Sequence, residues 1–246
     1  MAATPGPTAA VKVRKNQKSL SAQEWQDLIA AVNEMQAITG LRPGYQEFVN
    51  VHVAAMDHAN MDWEVHTMGP NMPGTNFLAW HRKLLTLFEE RLRKSNPVVT
   101  IPYWDWRNDR EIPVPLTNPA LLQAWGVIRR WKPHRLPSPS SIAAVSDETT
   151  FSGFQFGLEL GPHNAVHRAV GGNMALPNSP SDPLFFLHHA NIDRIWAEWQ
   201  RSQNAEDPPN MTDILQPKNN FTGSAIIFNV LVSSVVRISD LNYIYQ

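Results

Sequence analysis

The chain has 246 residues, nine histidines, no cysteine and a formal net charge of −1. The balanced charge argues against a nucleic-acid-binding surface or a polybasic membrane surface. The lack of cysteine excludes disulfides, thiolate nucleophiles, zinc ribbons and iron–sulfur clusters. No stretch approaches the ~18–20 uncharged apolar residues of a membrane span. The N-terminus has no positive segment followed by an apolar one, so a secretion signal is not indicated and a cytoplasmic location is expected.

Three helices are predicted in the first part of the chain. Ser21 and Glu24 have the spacing of a capping box, which predicts a helix that runs to about Thr39. A second helical pattern covers residues 45–57. The third helix is indicated by an apolar stripe at helical spacing over residues 77–92.

The middle of the chain is expected to be mostly irregular. Residues 107–151 are rich in proline and serine, and only residues 119–131 have a helical pattern there. This length and composition predict a long connection held by packing. A further short helix is predicted over residues 161–170.

The last part of the chain combines one strong helix with a strand-like segment. Asp182 followed by Pro183 is typical of a helix start, and the helix is predicted to run to about Arg201. Residues 225–228 and 230–236 have a strand pattern. The expected fold class is mainly helical, with a few short strands near the ends.

The histidines are the residues most indicative of function. His163 and His167 are four residues apart, so on a helix they share one face and can share a metal ion. His52 and His81 each lie within the apolar stripe of a predicted helix. Taken singly, His52 or His81 is explained more simply as a buried core residue with hydrogen-bonded ring nitrogens than as a metal ligand.

Several inward histidines on separate helices favour a metal site. On the last helix His189 shares a face with Phe185, whereas His188 lies at the edge of that face. Burying neutral imidazoles costs free energy unless their nitrogens find partners, and one metal ion serves several. The chain contains no Glu-x-x-His pair, which disfavours a carboxylate-bridged di-iron centre. All-imidazole coordination suits copper, zinc or nickel.

Four segments narrow this choice. They are residues 77–82 (FLAWHR), 102–106 (PYWDW), 163–167 (HNAVH) and 182–196 (DPLFFLHHANIDRIW). In this order they resemble the signatures of the tyrosinases, a family of type 3 dicopper proteins, with Ala79 in place of the family's usual proline. The resemblance extends over about residues 14–245. It implies a four-helix bundle that holds a dicopper centre, with long irregular loops and a few short peripheral strands.

The resemblance implies three histidine ligands for each copper ion. His66 departs from the family pattern, because its interval to His81 is longer than the family commonly has, and His58 is the alternative ligand. His134 and His188 are expected to be structural. The implied ligands are His52, His66 and His81 for one ion and His163, His167 and His189 for the other.

Further residues are implied to act on the substrate. Glu159 and Asn164 resemble a pair that the family uses to hold a water able to deprotonate a phenol. For substrate binding, Arg168 is placed to orient a carboxylate, Leu176 lies near the pocket mouth, and Phe185 is expected to pack over the copper site. Simpler explanations are a solvated charge for Glu159 and Arg168, a helix-start hydrogen bond for Asn164 and core packing for Phe185.

The implied function is copper-dependent oxidation of phenols by O2, both ortho-hydroxylation of monophenols and oxidation of o-diphenols to o-quinones. One alternative is a catechol or o-aminophenol oxidase without significant monophenolase activity. A more remote one is a haemocyanin-like oxygen carrier, which would bring a shielding domain and a thioether cysteine. The expected partners are small phenolic substrates and a copper-delivery protein, with no nucleic acid and no membrane.

The expected domain organisation is one catalytic domain over residues 1–246, with residues 1–12 as a flexible tail and no C-terminal lid domain. Residues 243–245 (YIY) resemble the tyrosine motif that ends the catalytic core in this family. Arg14 resembles the arginine that docks against this motif.

Overall fold

A computed structural model describes residues 10–38, 44–69, 72–202, 205–220 and 224–246. The mainly helical prediction is confirmed, and no helix in these ranges is long and apolar enough to cross a membrane. The elements are the helices α1 (Ala22–Ala37), α2 (Tyr45–Ala55), α3 (Phe77–Ser95), α4 (Pro119–Ala124), α5 (Pro139–Ser146), α6 (Phe151–Leu158), α7 (Asn164–Val170) and α8 (Leu184–Trp199), with the strands β1 (Lys12–Arg14) and β2 (Tyr243–Tyr245).

Helix α1 begins with the predicted capping box. Ser21 Oγ accepts a hydrogen bond from the Glu24 N–H at 3.2 Å, and Glu24 Oε2 accepts from the Ser21 N–H at 2.8 Å. The helix ends at Ala37, and the predicted end at Thr39 lies outside the described residues. The capping signal therefore identified the start of this helix.

Helices α3 and α8 form the centre of the molecule. The predicted apolar stripe of α3 is buried, and Phe88 stacks on Phe186 of α8 with ring centroids 3.5 Å apart. Fifteen of the sixteen residues of α8 are buried, so this helix is enclosed on every side. Asp182 Oδ1 accepts from the Leu184 N–H at 3.0 Å, which satisfies one free donor at the start of the helix.

The connection between α3 and α6 contains more helix than expected. The helix predicted over residues 119–131 ends at Ala124, because Gly126 adopts a positive φ of 66° that breaks it. Helix α5 was not predicted. Its start has a recognisable signal, since the Ser138 side chain accepts from the Ser141 N–H and Pro139 occupies the first turn.

The helix predicted over residues 161–170 is part of a longer helical region. It begins with α6 and passes through one π-helical turn, Glu159–His163, into α7. Pro162 lies inside this turn and has no N–H to donate to a regular helical bond. Such wide turns are frequent at functional sites.

The strands predicted over residues 225–236 are wrong. Ile226 and Phe228 are buried while Ile227 is exposed, so the alternation is real. Asn229 adopts a positive φ of 39°, however, and the segment keeps only an isolated bridge from Ile214 to Leu231. The regular strands of the described chain lie instead near its two ends, where β1 pairs in parallel with β2.

The predicted docking of Arg14 is confirmed, and the structure places Lys12, expected to lie in a flexible tail, in a strand. The guanidinium of Arg14 lies 3.8 Å from the centre of the Tyr243 ring and donates to Tyr245 Oη at 3.2 Å. The flexible tail was expected to reach residue 12, but Lys12 is in β1 and pairs with Tyr243. The backbone pairing of β1 fixes this part of the chain.

A buried ionic network connects these strands to the two central helices. Arg14 binds both carboxylate oxygens of Glu89 on α3, at 3.0 and 3.2 Å. Asp193 on α8 accepts from Arg14, Arg82 and the hydroxyls of both tyrosines of β2. Burial alone would raise the pKa of Asp193, but the charges of Arg82 and Arg14 outweigh it and hold this pKa below its ordinary value.

Removing the Asp193 charge tests this network. The Asp193→Asn variant leaves two buried guanidinium groups short of a partner, so we expect the free energy of unfolding to fall by about 3–4 kcal/mol. Because the pKa of Asp193 is lowered on folding, the ionised carboxylate stabilises the folded state at pH values above the pKa that Asp193 has in the unfolded chain. The difference from wild type is therefore expected to narrow as the pH falls below about 4.

The control is Asp207→Asn, which removes an exposed ion pair with Arg237. Such pairs contribute about 0–1 kcal/mol. Urea unfolding at neutral and acid pH measures both variants. Equal, small losses for the two would contradict the role assigned to Asp193.

Candidate metal centre

Two groups of histidines lie next to each other among α2, α3, α7 and α8. Within each group the candidate ligand atoms lie within 4.8 Å of one another. The two groups are adjacent, because the rings of His81 and His189 stack with centroids 4.2 Å apart. The first group is His52, His66 and His81, and the second is His163, His167, His188 and His189.

The structure places His66, and not His58, in the first group. The His66 ring centroid lies 5.3 Å from that of His52 and 5.1 Å from that of His81. His58 is exposed at the start of a 3₁₀ turn. The long interval before α3 folds back on His66. At Gly74 a Cβ atom would lie 2.7 Å from backbone atoms of residues 65–67, so only glycine fits there.

Backbone carbonyls hold four of the rings through Nδ1. A carbonyl oxygen only accepts, so each Nδ1 carries the hydrogen and each Nε2 keeps its lone pair. This is the tautomer that a metal ligand needs. The contacts are His52 to Pro177 O at 2.8 Å, His81 to Phe77 O at 2.8 Å, His163 to Glu159 O at 3.2 Å and His167 to Met174 O at 2.5 Å.

The inward nitrogens lack protein partners. Among the described residues, the buried Nε2 atoms of His52, His66, His81 and His163 have no hydrogen bond. An unpaired buried acceptor is costly, and a metal ion removes that cost for three rings at once. His167 Nε2 and His189 Nε2 lie 3.4 Å apart and face a common point. Burial lowers the pKa of His167 to about 4, so its ring is neutral and able to bind a metal at pH 7.

His188 belongs to the second group in space but differs in tautomer. The Trp106 Nε1–H donates to His188 Nδ1 at 3.0 Å, so the hydrogen of the neutral His188 ring is on Nε2. Its ring stacks on His163 with centroids 5.3 Å apart. This supports the structural role expected for His188. Sequence reasoning treated Trp106 only as core packing, and nothing local indicated this contact.

Phe185 lies beneath the histidines. It is fully buried, and its ring centroid is 4.1 Å from that of His189 and 5.0 Å from that of His52. It therefore packs against the metal site as expected. It is not among the residues that line the open cavity above, so the structure gives no support to its predicted part in substrate binding.

An open cavity of about 290 Å³ lies over the histidines. Asn164, Arg168 and Leu176 all line it, as predicted, and Arg168 and Leu176 are exposed at its mouth. Four histidine rings form its base, from His52, His66, His163 and His167. A small aromatic molecule can therefore reach the ligand histidines from solvent.

The water-holding role implied for Glu159 and Asn164 stays a prediction, and the structure shows which protein groups the Glu159 carboxylate contacts. Glu159 is buried, and its two carboxylate oxygens accept from the N–H of Thr67 at 2.8 Å and from its hydroxyl at 2.6 Å. One of these oxygens is 3.4 Å from His66 Nδ1. The backbone N–H of Asn164 donates to the backbone oxygen of Glu159, and among the described residues no side-chain hydrogen bond joins the two. Thr67, which sequence reasoning missed, therefore anchors Glu159 behind His66.

A helical core that carries two adjacent sets of imidazoles, four of them held by backbone carbonyls with Nε2 inward, defines a dinuclear metalloprotein. The family model that describes the common central domain of tyrosinase matches residues 42–147 and 117–202. The chain is 32% identical over 271 residues to a tyrosinase of Streptomyces antibioticus, covering 87% of this chain and 96% of that protein. It is 34% identical to a tyrosinase of Streptomyces glaucescens, over 77% of this chain and 82% of that one.

The fold agrees with this relationship. A functional unit of octopus haemocyanin has a TM-score of 0.74 and 26% identity, and the match covers 96% of this chain and 68% of that one. The chain belongs to the tyrosinase family. Membership implies a dinuclear type 3 copper site, which the two histidine groups fit, and supports copper-dependent phenol oxidation as the general function.

Copper content distinguishes His66 from His58. We expect His66→Ala to lower the bound copper from two ions per chain towards one, because the first group then retains two imidazoles. His58→Ala is expected to keep both ions. Atomic absorption on dialysed protein measures the content. Loss of copper from His58→Ala with full retention in His66→Ala would reverse the assignment.

The neighbouring pair His188 and His189 allows a second test by copper content. An asparagine at position 188 can still accept from Trp106, so His188→Asn is expected to keep two copper ions. His189→Asn removes an imidazole that faces the second site and is expected to lose one ion. If His188→Asn loses copper as His189→Asn does, the tautomer argument is wrong.

Proposed function

We propose that this protein is a tyrosinase in activity, acting on both monophenols and o-diphenols. In the first reaction a phenol and O2 give an o-quinone and one water. In the second, two diphenols and one O2 give two o-quinones and two waters. The observation that carries the proposal is the solvent-open cavity, which is lined by four candidate ligand histidines and so leaves them accessible to a phenol.

Copper bound to the two histidine groups would supply the activation of O2 and the acceptance of electrons from the phenol. The protein's own contribution is orientation. The carbonyl-held rings keep their nitrogens at fixed positions, and Phe185 excludes water beneath them. The cavity wall then holds the phenol with its hydroxyl towards the histidines.

Asn164 is the side chain best placed to act on the phenol hydroxyl. It follows the ligand His163 directly and lines the cavity. A phenol has a pKa of about 10, so a hydrogen-bonded water or amide that helps remove its proton matters most for monophenols. Glu159 has a different part in this proposal. Its oxygens already hold Thr67 and lie near His66, so it acts as a positioning residue for that ligand.

The first experiment gives copper-loaded protein tyrosine, DOPA or an o-aminophenol as substrate. It measures O2 uptake and the coloured product for each. Oxidation of tyrosine and DOPA to coloured quinones is the expected result. Oxidation of catechols or aminophenols alone would show the narrower oxidase instead. Reversible oxygen binding without turnover would show an oxygen carrier, to which the haemocyanin likeness would then correspond.

The variant Asn164→Ala tests the division between the two reactions. We expect kcat/KM for tyrosine to fall by about tenfold, while that for DOPA changes by less than about threefold, because a diphenol ionises more readily. Copper content should stay at two ions per chain. Equal losses for both substrates would contradict a selective role for Asn164.

Glu159→Gln is the matched comparison. If Glu159 acts through His66, this variant lowers both activities together and weakens copper retention during dialysis against a chelator. A selective loss of tyrosine hydroxylation with copper fully retained would instead support the family-like role of Glu159 in holding a water.

A further inference from the structure

Methionines are concentrated around the candidate ligand His66. The chain has eight methionines, and four of them fall within residues 56–72, the segment that contains His66. Met61 is 45% exposed and Met72 is 42% exposed, although methionine is a residue that is usually buried. Core packing therefore does not explain why these side chains lie here.

A cleft of about 170 Å³ opens beside His66. Three methionines line it, Met61, Met68 and Met72, and it is here called the methionine cleft. His66 lines both this cleft and the metal cavity, and among the described residues it is the one candidate ligand that does so. The methionine cleft therefore offers a second approach to the first group of histidines, separate from the metal cavity.

Backbone hydrogen bonds fix the residues that carry the three thioethers. The Met68 N–H donates to Met72 O at 3.0 Å, and the Met72 N–H donates to Gly69 O at 3.0 Å, which ties Met68 and Met72 together. The Glu64 N–H donates to Met61 O at 3.0 Å. The sulfur donors of the cleft are therefore attached to hydrogen-bonded positions of the backbone.

The charge around the methionine cleft favours a cation. Residues 43–81 contain four carboxylates and no lysine or arginine. Every described residue that lines the cleft belongs to this segment, and Glu64 is the carboxylate among them. Glu64 is exposed and accepts a hydrogen bond from the Thr75 hydroxyl, a second residue of the cleft wall. A positive ion is therefore attracted to this part of the surface.

Thioether sulfur selects the kind of cation that binds. Soft sulfur ligands favour Cu(I), whereas Mg²⁺ and Ca²⁺ prefer oxygen. Because the chain has no cysteine, methionine supplies its only sulfur donors. A thioether has no proton to lose, so it binds Cu(I) without the deprotonation that a thiol requires. Three thioethers that line one cleft beside an imidazole are a donor set suited to Cu(I).

We propose that the methionine cleft is the entry site through which Cu(I) reaches the first group of histidines. The thioethers hold the ion first, and it then passes to the imidazole of His66. This step is an exchange of ligands, in which copper stays Cu(I) and no electron is transferred. His66 Nε2 is buried and has no hydrogen-bond partner among the described residues, so it gains a partner when the ion arrives. The proposal uses the dicopper site and does not depend on which phenols are oxidised.

The test measures how fast the protein takes up Cu(I). Metal-free protein is mixed, without oxygen, with Cu(I) in dilute acetonitrile, and at set times bicinchoninate captures the copper that has not reached the histidines. We expect the triple variant Met61→Leu, Met68→Leu, Met72→Leu to take up Cu(I) about tenfold more slowly, because leucine keeps the volume and removes the sulfur. Its final copper content should still be two ions per chain, since every candidate histidine ligand is retained.

The matched control is the triple variant Met56→Leu, Met174→Leu, Met211→Leu. It removes the same number of thioethers, and because Met56 and Met174 line the metal cavity, it also tests entry by that route. We expect its uptake rate to stay within about twofold of wild type. Uptake at the wild-type rate by the cleft variant, equal slowing of both triple variants, or slowing of the control alone overturns the proposal.

Silver ion measures binding at the methionine cleft directly. Ag(I) is soft like Cu(I) but is not oxidised by O2, so it can be added to the copper-loaded wild-type protein. With isotope-labelled methionine methyl groups, we expect the NMR signals of Met61, Met68 and Met72 to shift as one Ag(I) binds per chain. If these three signals do not move, the proposal is wrong. This measurement uses the wild-type protein, so it decides the proposal even if the cleft variant fails to fold.

Discussion

The metal centre depends on how buried imidazoles satisfy both of their nitrogens. Four rings donate Nδ1–H to backbone carbonyls, which directs the Nε2 lone pairs inward. Two of these carbonyls, Phe77 O and Glu159 O, lie four residues before their histidine in the same helical region. The other two, Met174 O and Pro177 O, belong to the loop between α7 and α8. This loop therefore orients ligands from two different helices and at the same time forms the wall of the cavity.

A separate network of charges sets the relation of the helices that carry those ligands. Helix α3 contributes His81 to the site and Arg82 to the buried network, one residue later. Helix α8 contributes His189 to the site and, one turn further, Asp193 to the network. The bond between Arg82 and Asp193 thus joins the two helices close to the point where their histidines stack. At the metal site both helices carry neutral rings, and in the network their charged side chains are paired. Both helices can therefore be buried without an unpaired charge.

Much of the fold follows from local signals. The capping box at Ser21 and the apolar stripe of α3 predicted their helices because each depends on residues close in sequence. The strand pattern over residues 225–236 misled, since a strand also needs a partner edge, and that pairing is set by distant parts of the chain. The π-helical turn at Glu159 has no sequence signal of comparable strength. The metal site was predicted better than its surroundings, because histidine spacing and helical phase are local properties, whereas Thr67 and Trp106 reach the site from other segments.

The sequence by itself determined the donor chemistry: histidines and no cysteine, with a pair four residues apart on one helix. It also predicted His189 rather than His188 as the ligand. Only the tertiary structure decided between His66 and His58, because the choice depends on how the loop before α3 folds back at Gly74. It likewise placed Glu159 behind His66 and Phe185 beneath the rings. These are contacts between segments far apart in the chain, whose geometry follows from packing and not from residue type or spacing.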